Sequence, residues 1–227
     1  MRLTLNSFYQ RLYSHFGPQD WWPADSPFEV IIGAILTQNT NWLNVERAID
    51  NLRRNKALTF SGLNNLPLKK MASLIRPAGY YNIKAKRLKE FLRFFSQCYR
   101  ANLKKMSEEE MNALRVKLLS VKGIGPETAD SILLYALNKR IFVVDAYTKR
   151  ILSRHGLIKE DASYDQIQNL FMRDLKNNLH HVRNSKSHRK NISNEVKLFN
   201  EYHALLVRLG KEYCLKKKPR CETCPLK

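Results

Sequence analysis

The sequence predicts an all-α protein, and three observations carry that reading. Apolar residues recur at helical spacing along almost the whole chain. Gly and Pro number only 8 each in 227 residues, and a Gly share about half the ordinary ~7% is too small for a turn-rich sandwich. The one strand-like run, Ile141–Val144, is too short and isolated to build a sheet. With 44% hydrophobic residues the chain can bury a real core and is not a disordered polymer.

The elements follow in order. From Pro27 to Gln38 the run PFEVIIGAILTQ is apolar nearly all round, as in a buried helix. Pro27 suits its first turn, and Ser26 can cap it. Helical patterns follow at Val45–Leu52, Ile83–Tyr99, Glu108–Ser120 and Thr128–Leu137, then at Tyr147–His155, Tyr164–Asn177 and Glu195–Glu212. Breaks fall at Gly17-Pro18, Gly62, Arg76-Pro77 with Gly79, and Gly123–Pro126. The polar, basic stretch Asn178–Asn194 reads as a surface loop, and no internal repeat is visible.

Lys and Arg total 40 against 20 acidic residues, a formal charge of +20. An excess of that size points to a polyanionic partner, first of all nucleic acid. No apolar run reaches the ~20 residues of a membrane span. The N-terminal MRLTLNSFYQRLYSHFG lacks the unbroken apolar stretch of a signal peptide, so a cytoplasmic protein is expected. Of the four cysteines, Cys98 falls in a patterned helix and is expected in the core. Cys214, Cys221 and Cys224 crowd the C-terminus with C-x6-C-x2-C spacing. In a reducing compartment such a cluster binds metal or an iron–sulfur centre more often than it forms disulfides.

The segment Val121–Asp130, VKGIGPETAD, lies between two helical patterns. Two glycines one residue apart allow a tight turn and leave backbone amides near a helix N-terminus, an anion site suited to a DNA phosphate. With Ile124 between the glycines, the segment resembles the helix–hairpin–helix DNA-binding element. Twenty residues after Gly125 comes Asp145, in FVVDAYTKRIL ahead of a basic helix.

Together with ILTQNT at Ile35–Thr40, AGYYNIKAK at Ala78–Lys86 and the terminal cysteines, these motifs resemble the endonuclease III-like superfamily of DNA glycosylases, from about Trp21 to Cys224. The resemblance implies a two-domain fold with a DNA-facing cleft. A helical barrel would take 22–137, with the hairpin at about 114–137, and 1–21 would join 138–227 in a second domain. It casts Gln38 as a filler of the gap left by a flipped base, and Gly123, Ile124, Gly125 and Thr128 as DNA-binding, with a monovalent cation at the hairpin. Double-stranded damaged DNA is the expected partner and a monomer the expected state.

Base–sugar cleavage builds oxocarbenium character on the sugar, which a nearby carboxylate stabilises; the resemblance gives that role to Asp145. Members that also nick the strand carry a Lys two residues after the second hairpin glycine, where this chain has Glu127. A carboxylate cannot form an imine, so a monofunctional enzyme is expected, with Glu127 near the base. Trp21-Trp22-Pro23 followed by LTQNT looks most like the 3-methyladenine DNA glycosylase III branch. Trp21, Trp22, Pro23 and Trp42 are expected at the base pocket, where aromatic faces would favour cationic alkylated purines; packing at a helix start is the plain alternative.

The cysteines match three positions of the family's C-x6-C-x2-C-x5-C pattern for a [4Fe–4S] cluster. The fourth would fall three residues past Lys227, so either a truncated chain or an unusual fourth ligand is expected, truncation before the other. Three competing readings stand beside this one: an endonuclease III-like glycosylase with abasic-site lyase activity, an adenine-mismatch glycosylase, and a non-catalytic helix–hairpin–helix DNA-binding protein.

Overall fold

The computed structural model describes residues 4–19, 21, 24–175 and 192–227. Among these the chain is helical, with no strand. It divides into two compact units, Ala24–Leu137 and Met1–Pro23 with Asn138–Lys227. The expected loop 178–194 lies almost wholly outside the described residues.

In Ala24–Leu137 the central rod is α2 (Pro27–Leu36). Ser26 caps it through the Glu29 amide at 3.2 Å, and every residue from Phe28 to Leu36 is buried, so its uniformly apolar sequence matches its place. Around it pack α3 (Trp42–Arg54), α6 (Tyr81–Tyr99) and α9 (Pro126–Ser131). In α3 the buried Val45, Ala48, Ile49 and Leu52 keep the three-and-four spacing of one helix face. Two short helices precede α6, α4 (Phe60–Asn65) and α5 (Leu68–Leu74), with a 3-10 turn at Arg76–Ala78.

Three expectations need correction here. The pattern Glu108–Ser120 forms a helix that starts later, α8 (Met111–Ser120), because the Glu110 carboxylate caps it by accepting from the Ala113 amide at 2.8 Å; a separate short helix, α7 (Leu103–Glu108), ends where the pattern begins. The pattern Thr128–Leu137 starts as α9 but widens into a π-helical turn over Ile132–Ala136, all five residues buried. Cys98 is exposed. It sits at the edge of the α6 stripe formed by Leu88, Phe91, Leu92, Phe95 and Tyr99, whose burial sets the helix's rotation.

The other unit is built from α1 (Leu5–Phe16), α10 (Ala146–Arg154), α11 (Tyr164–Asp174) and α12 (Asn194–Glu212). Helix α12 packs against both α1 and α10. Ile141–Val144 is neither helix nor strand; it is a buried connector, 0–4% exposed. Phe142 stacks on Phe171 with ring centres 3.7 Å apart, and Gln168 Nε2 donates to the Phe142 carbonyl at 2.7 Å. Those contacts seat the chain immediately before Asp145.

Candidate functional site

At the hairpin, Val121 ends α8 and the Ile124 amide closes the turn on the Val121 carbonyl at 3.0 Å. Gly123 has φ +92, a region that disfavours any side chain. A Cβ there would also lie 2.4 Å from Arg87 Cγ. Gly125, by contrast, has φ −95 and open space where a Cβ would go. The two glycines therefore answer different needs, the first conformational and steric, the second access to the backbone.

Several residues expected at DNA are committed inside the unit. Ile124 is 4% exposed and anchors the turn in the core. Thr128 is buried, and its Oγ1 accepts from Gln38 Nε2 at 2.9 Å. Gln38 Nε2 also donates to the Gly123 carbonyl at 3.0 Å, while Gln38 Oε1 accepts from Arg87 Nη1. Gln38 thus bridges its own loop to the hairpin, and filling a gap in DNA would require it to give up those bonds. Asn39 beside it is exposed at φ +53.

Arg115 of α8 grips Asp130 of α9 with two bonds, Nε to Oδ1 at 2.7 Å and Nη2 to Oδ2 at 3.1 Å. Asp130 is fully buried, so this forked ion pair fixes the angle between the hairpin helices. Glu127 is exposed in the first turn of α9, where a carboxylate complements the helix N-terminus.

In the other unit Asp145 is the N-cap of α10, its Oδ1 accepting from the Thr148 amide at 2.7 Å. Its side chain is 11% exposed, and His203 Nε2 of α12 stands 3.6 Å from Oδ2. Burial alone would raise this carboxyl; the facing His203 and the bonds from Thr148 outweigh it, and the group is held below the usual carboxylate range. Asp145 is therefore a desolvated but ionised carboxylate, the state required to face a developing sugar cation.

Trp22 and Pro23 lie outside the described residues. Trp21 belongs to the same unit as Lys211, whose Nζ is 5.8 Å from the ring centre. Trp42 begins α3, and its Nε1 donates to Glu46 Oε1 at 2.6 Å. One tryptophan carries a cation on its face and the other a carboxylate at its edge. Tyr80, preceding α6, is 67% exposed at φ +46, with Ile83 52% exposed beside it. An aromatic ring held out to water on a strained backbone suits base stacking.

The terminal cysteines differ in setting: Cys214 is buried, Cys221 exposed and Cys224 between. Burial pushes the Cys224 thiol above its ordinary value. Among the described residues no group of three His, Cys, Asp or Glu side chains is placed to hold a metal ion. The loop is also held by α10. Arg150 donates to the Cys214 and Gly210 carbonyls, and Arg154 to those of Leu215 and Lys216, at 2.7–3.1 Å.

Sequence reading did not find Arg87, His203, Arg115–Asp130, Glu46 or Tyr80. The first three act through partners 12 or more residues away, which no local pattern reveals. Tyr80 was legible as an aromatic directly after a glycine.

The family profile described as HhH-GPD superfamily base excision DNA repair protein matches residues 32–177. A candidate DNA repair glycosylase of Methanocaldococcus jannaschii is 46% identical over 221 residues, 96% of this chain and 92% of that protein. Endonuclease III of Sulfolobus acidocaldarius is 26% identical, with 88% and 79% covered. Among solved structures, the H. pylori 3-methyladenine DNA glycosylase MagIII, bound to 1,N6-ethenoadenine, superposes with TM-score 0.79 at 30% identity. That match covers 92% of this chain and 98% of that one. An endonuclease III–DNA complex shares the fold at TM-score 0.75 and 21% identity, with 99% and 94% covered.

Proposed function

Since this chain belongs to the HhH-GPD superfamily of base excision DNA repair proteins, we propose that it is a monofunctional DNA glycosylase releasing alkylated purines such as 3-methyladenine from duplex DNA. The observation that carries the chemistry is Asp145, buried yet held ionised at the start of α10. The target nucleotide swings out of the stack. As the bond from C1′ to the base nitrogen breaks, its electron pair leaves with the base, and the charge of an N-alkylated purine is neutralised. Asp145 stabilises the sugar cation and orients a water, whose oxygen bonds to C1′ while its proton is lost to solvent or the carboxylate.

Glu127 supports hydrolysis without strand nicking, since position 127 offers no amine for an imine. Trp42, with Glu46 at its edge, is the better face for a cationic base; at Trp21 the Lys211 ammonium would repel one. The similarity to H. pylori MagIII supports the same substrate class. The C-x6-C-x2-C spacing supports a structural [4Fe–4S] cluster on Cys214, Cys221 and Cys224, which iron and sulfide analysis tests. The protein would act as a cytoplasmic monomer, with a monovalent cation at the hairpin on the strength of the resemblance alone.

The experiment is chromatographic identification of bases released from DNA treated with a methylating agent, run beside borohydride trapping. The expected result is free 3-methyladenine and no covalent protein–DNA adduct. Release of no methylpurine would refute the substrate, and a good yield of adduct would refute the monofunctional assignment.

A further inference from the structure

Helix α6 supplies two basic side chains, one turn apart, that the proposed chemistry leaves unused. Lys84 is 1% exposed and donates its Nζ to the carbonyls of Leu36 at 2.8 Å and Ala78 at 2.7 Å. It therefore ties α6 to the end of α2, where the Gln38 loop departs, and to the residue before Gly79 and Tyr80. Arg87 is half-buried, lays its stem against the α-carbon of Gly123 and donates to Gln38 Oε1. With its oxygen taken by a guanidinium, the Gln38 amide has a single favourable orientation, the one that aims Nε2 at the Gly123 carbonyl and Thr128.

We propose that Arg87 is a positioning residue for DNA binding: it locks the Gln38 loop to the hairpin as one preformed surface and does not itself contact phosphate. The proposal rests on the reading that the hairpin engages DNA. Arg87 has little freedom to do otherwise, because its stem fills the space a Cβ on Gly123 would need while its guanidinium is engaged with Gln38. Lysine is a poor replacement, since its ammonium is a point charge on a flexible stem, whereas the guanidinium is planar and preorganised beside Gly123. The lock acts before DNA arrives, so it lowers the ordering cost of binding.

The test measures affinity for a fluorescein-labelled duplex bearing one tetrahydrofuran abasic analogue, across a salt series. It compares wild type, Arg87→Met, Arg87→Lys, Gln38→Ala and the Arg87→Met/Gln38→Ala double variant. Arg87→Met keeps the stem on Gly123 and should weaken binding about tenfold, as for a lost charge-assisted hydrogen bond, with the salt slope unchanged. Arg87→Lys should not rescue it. The double variant should be no weaker than Arg87→Met alone, because both break one link. Should Arg87→Met fail to fold, Arg87→Lys and Gln38→Ala carry the same comparison. A slope reduced by ~0.9 would show Arg87 on a phosphate and overturn the inference, as would wild-type affinity in Arg87→Met or additive losses in the double variant. Wild-type protein that binds neither this duplex nor an undamaged one would overturn the DNA-engagement reading itself.

Discussion

At the hairpin of Ala24–Leu137, side chains and backbone are tied to one another: Gln38 to Gly123 and Thr128, Arg87 to Gln38, Arg115 to Asp130. At Asp145, in the other unit, one carboxylate is stripped of water and kept charged by His203 and the Thr148 amide. The first region spreads its effect over many bonds that hold a shape. The second concentrates it on one charge. Binding a phosphate backbone needs shape and exposed amides, whereas stabilising a cation needs a charge in low dielectric. Damage to the two regions should therefore look different, and the following variants separate them.

The largest expected change is in stability. Asp130→Ala removes the fully buried partner of Arg115 and opens a buried hole; with the Arg115 side chain 20% exposed, the loss should lie at or below the ~3–5 kcal/mol of a wholly buried pair. Thermal unfolding should show a large drop in melting temperature; a variant as stable as wild type would mean the fork does not brace the hairpin. Asp145→Asn keeps the helix cap and removes the charge, so base release should fall by ~10²-fold or more while DNA affinity stays near wild type. Parallel loss of affinity would contradict the division between the two regions.

Next comes the contrast between the glycines. Gly123→Ala must adopt a positive φ against Arg87, a strain of ~1–3 kcal/mol, and should lower both stability and affinity. Gly125→Ala meets nothing in the free protein, so its melting temperature should hold while affinity falls on every DNA sequence alike. A sequence-dependent loss would show that the hairpin reads bases.

The smallest effects are those of pH. A carboxyl held low stays charged until the pH falls through its folded value, so Asp145 contributes stability above the unfolded range and loses it in acid. Single-turnover release should stay flat through about pH 5 to 6, and His203→Phe should move the acid limb upward. A wild-type rate already halved in that window would show that Asp145 is not held ionised. Burial, then the charge of Arg87, brings Lys84 down to about 8. Between that value and ~10.4 the unfolded chain holds a proton that the folded protein has released, so stability should rise with pH across the window. Lys84→Met should flatten that rise, measured by denaturant unfolding at pH 8 and 10.

Much of this organisation was legible in the sequence, for local reasons. The helices of α2, α3, α6 and α12 follow from apolar spacing, and Ser26, Asn41, Ser163 and Ser193 each cap as their residue type dictates. Asp145 was visible because it precedes a helical pattern, and the hairpin because two glycines interrupt one. The helix break at Glu109-Glu110 was missed because a glutamate cap leaves no Gly or Pro signature. Ile124 and Thr128 were expected at DNA on the family resemblance; that both side chains are buried is decided by the packing of the hairpin.

The sequence by itself determined the helical class, the positive charge and the absence of an amine at position 127, since each depends on residue type or short-range periodicity; Asp145 was singled out for catalysis only through the family resemblance. Only the tertiary structure decided which groups are charged, exposed or tethered. The lowered Asp145 carboxyl requires His203, 58 positions away; the docked Gln38 requires Arg87, 49 away, and Gly123, 85 away. Desolvation and hydrogen bonding at these sites are set by neighbours in space, and the fold chooses those neighbours by burying helix faces. No window of sequence contains both partners.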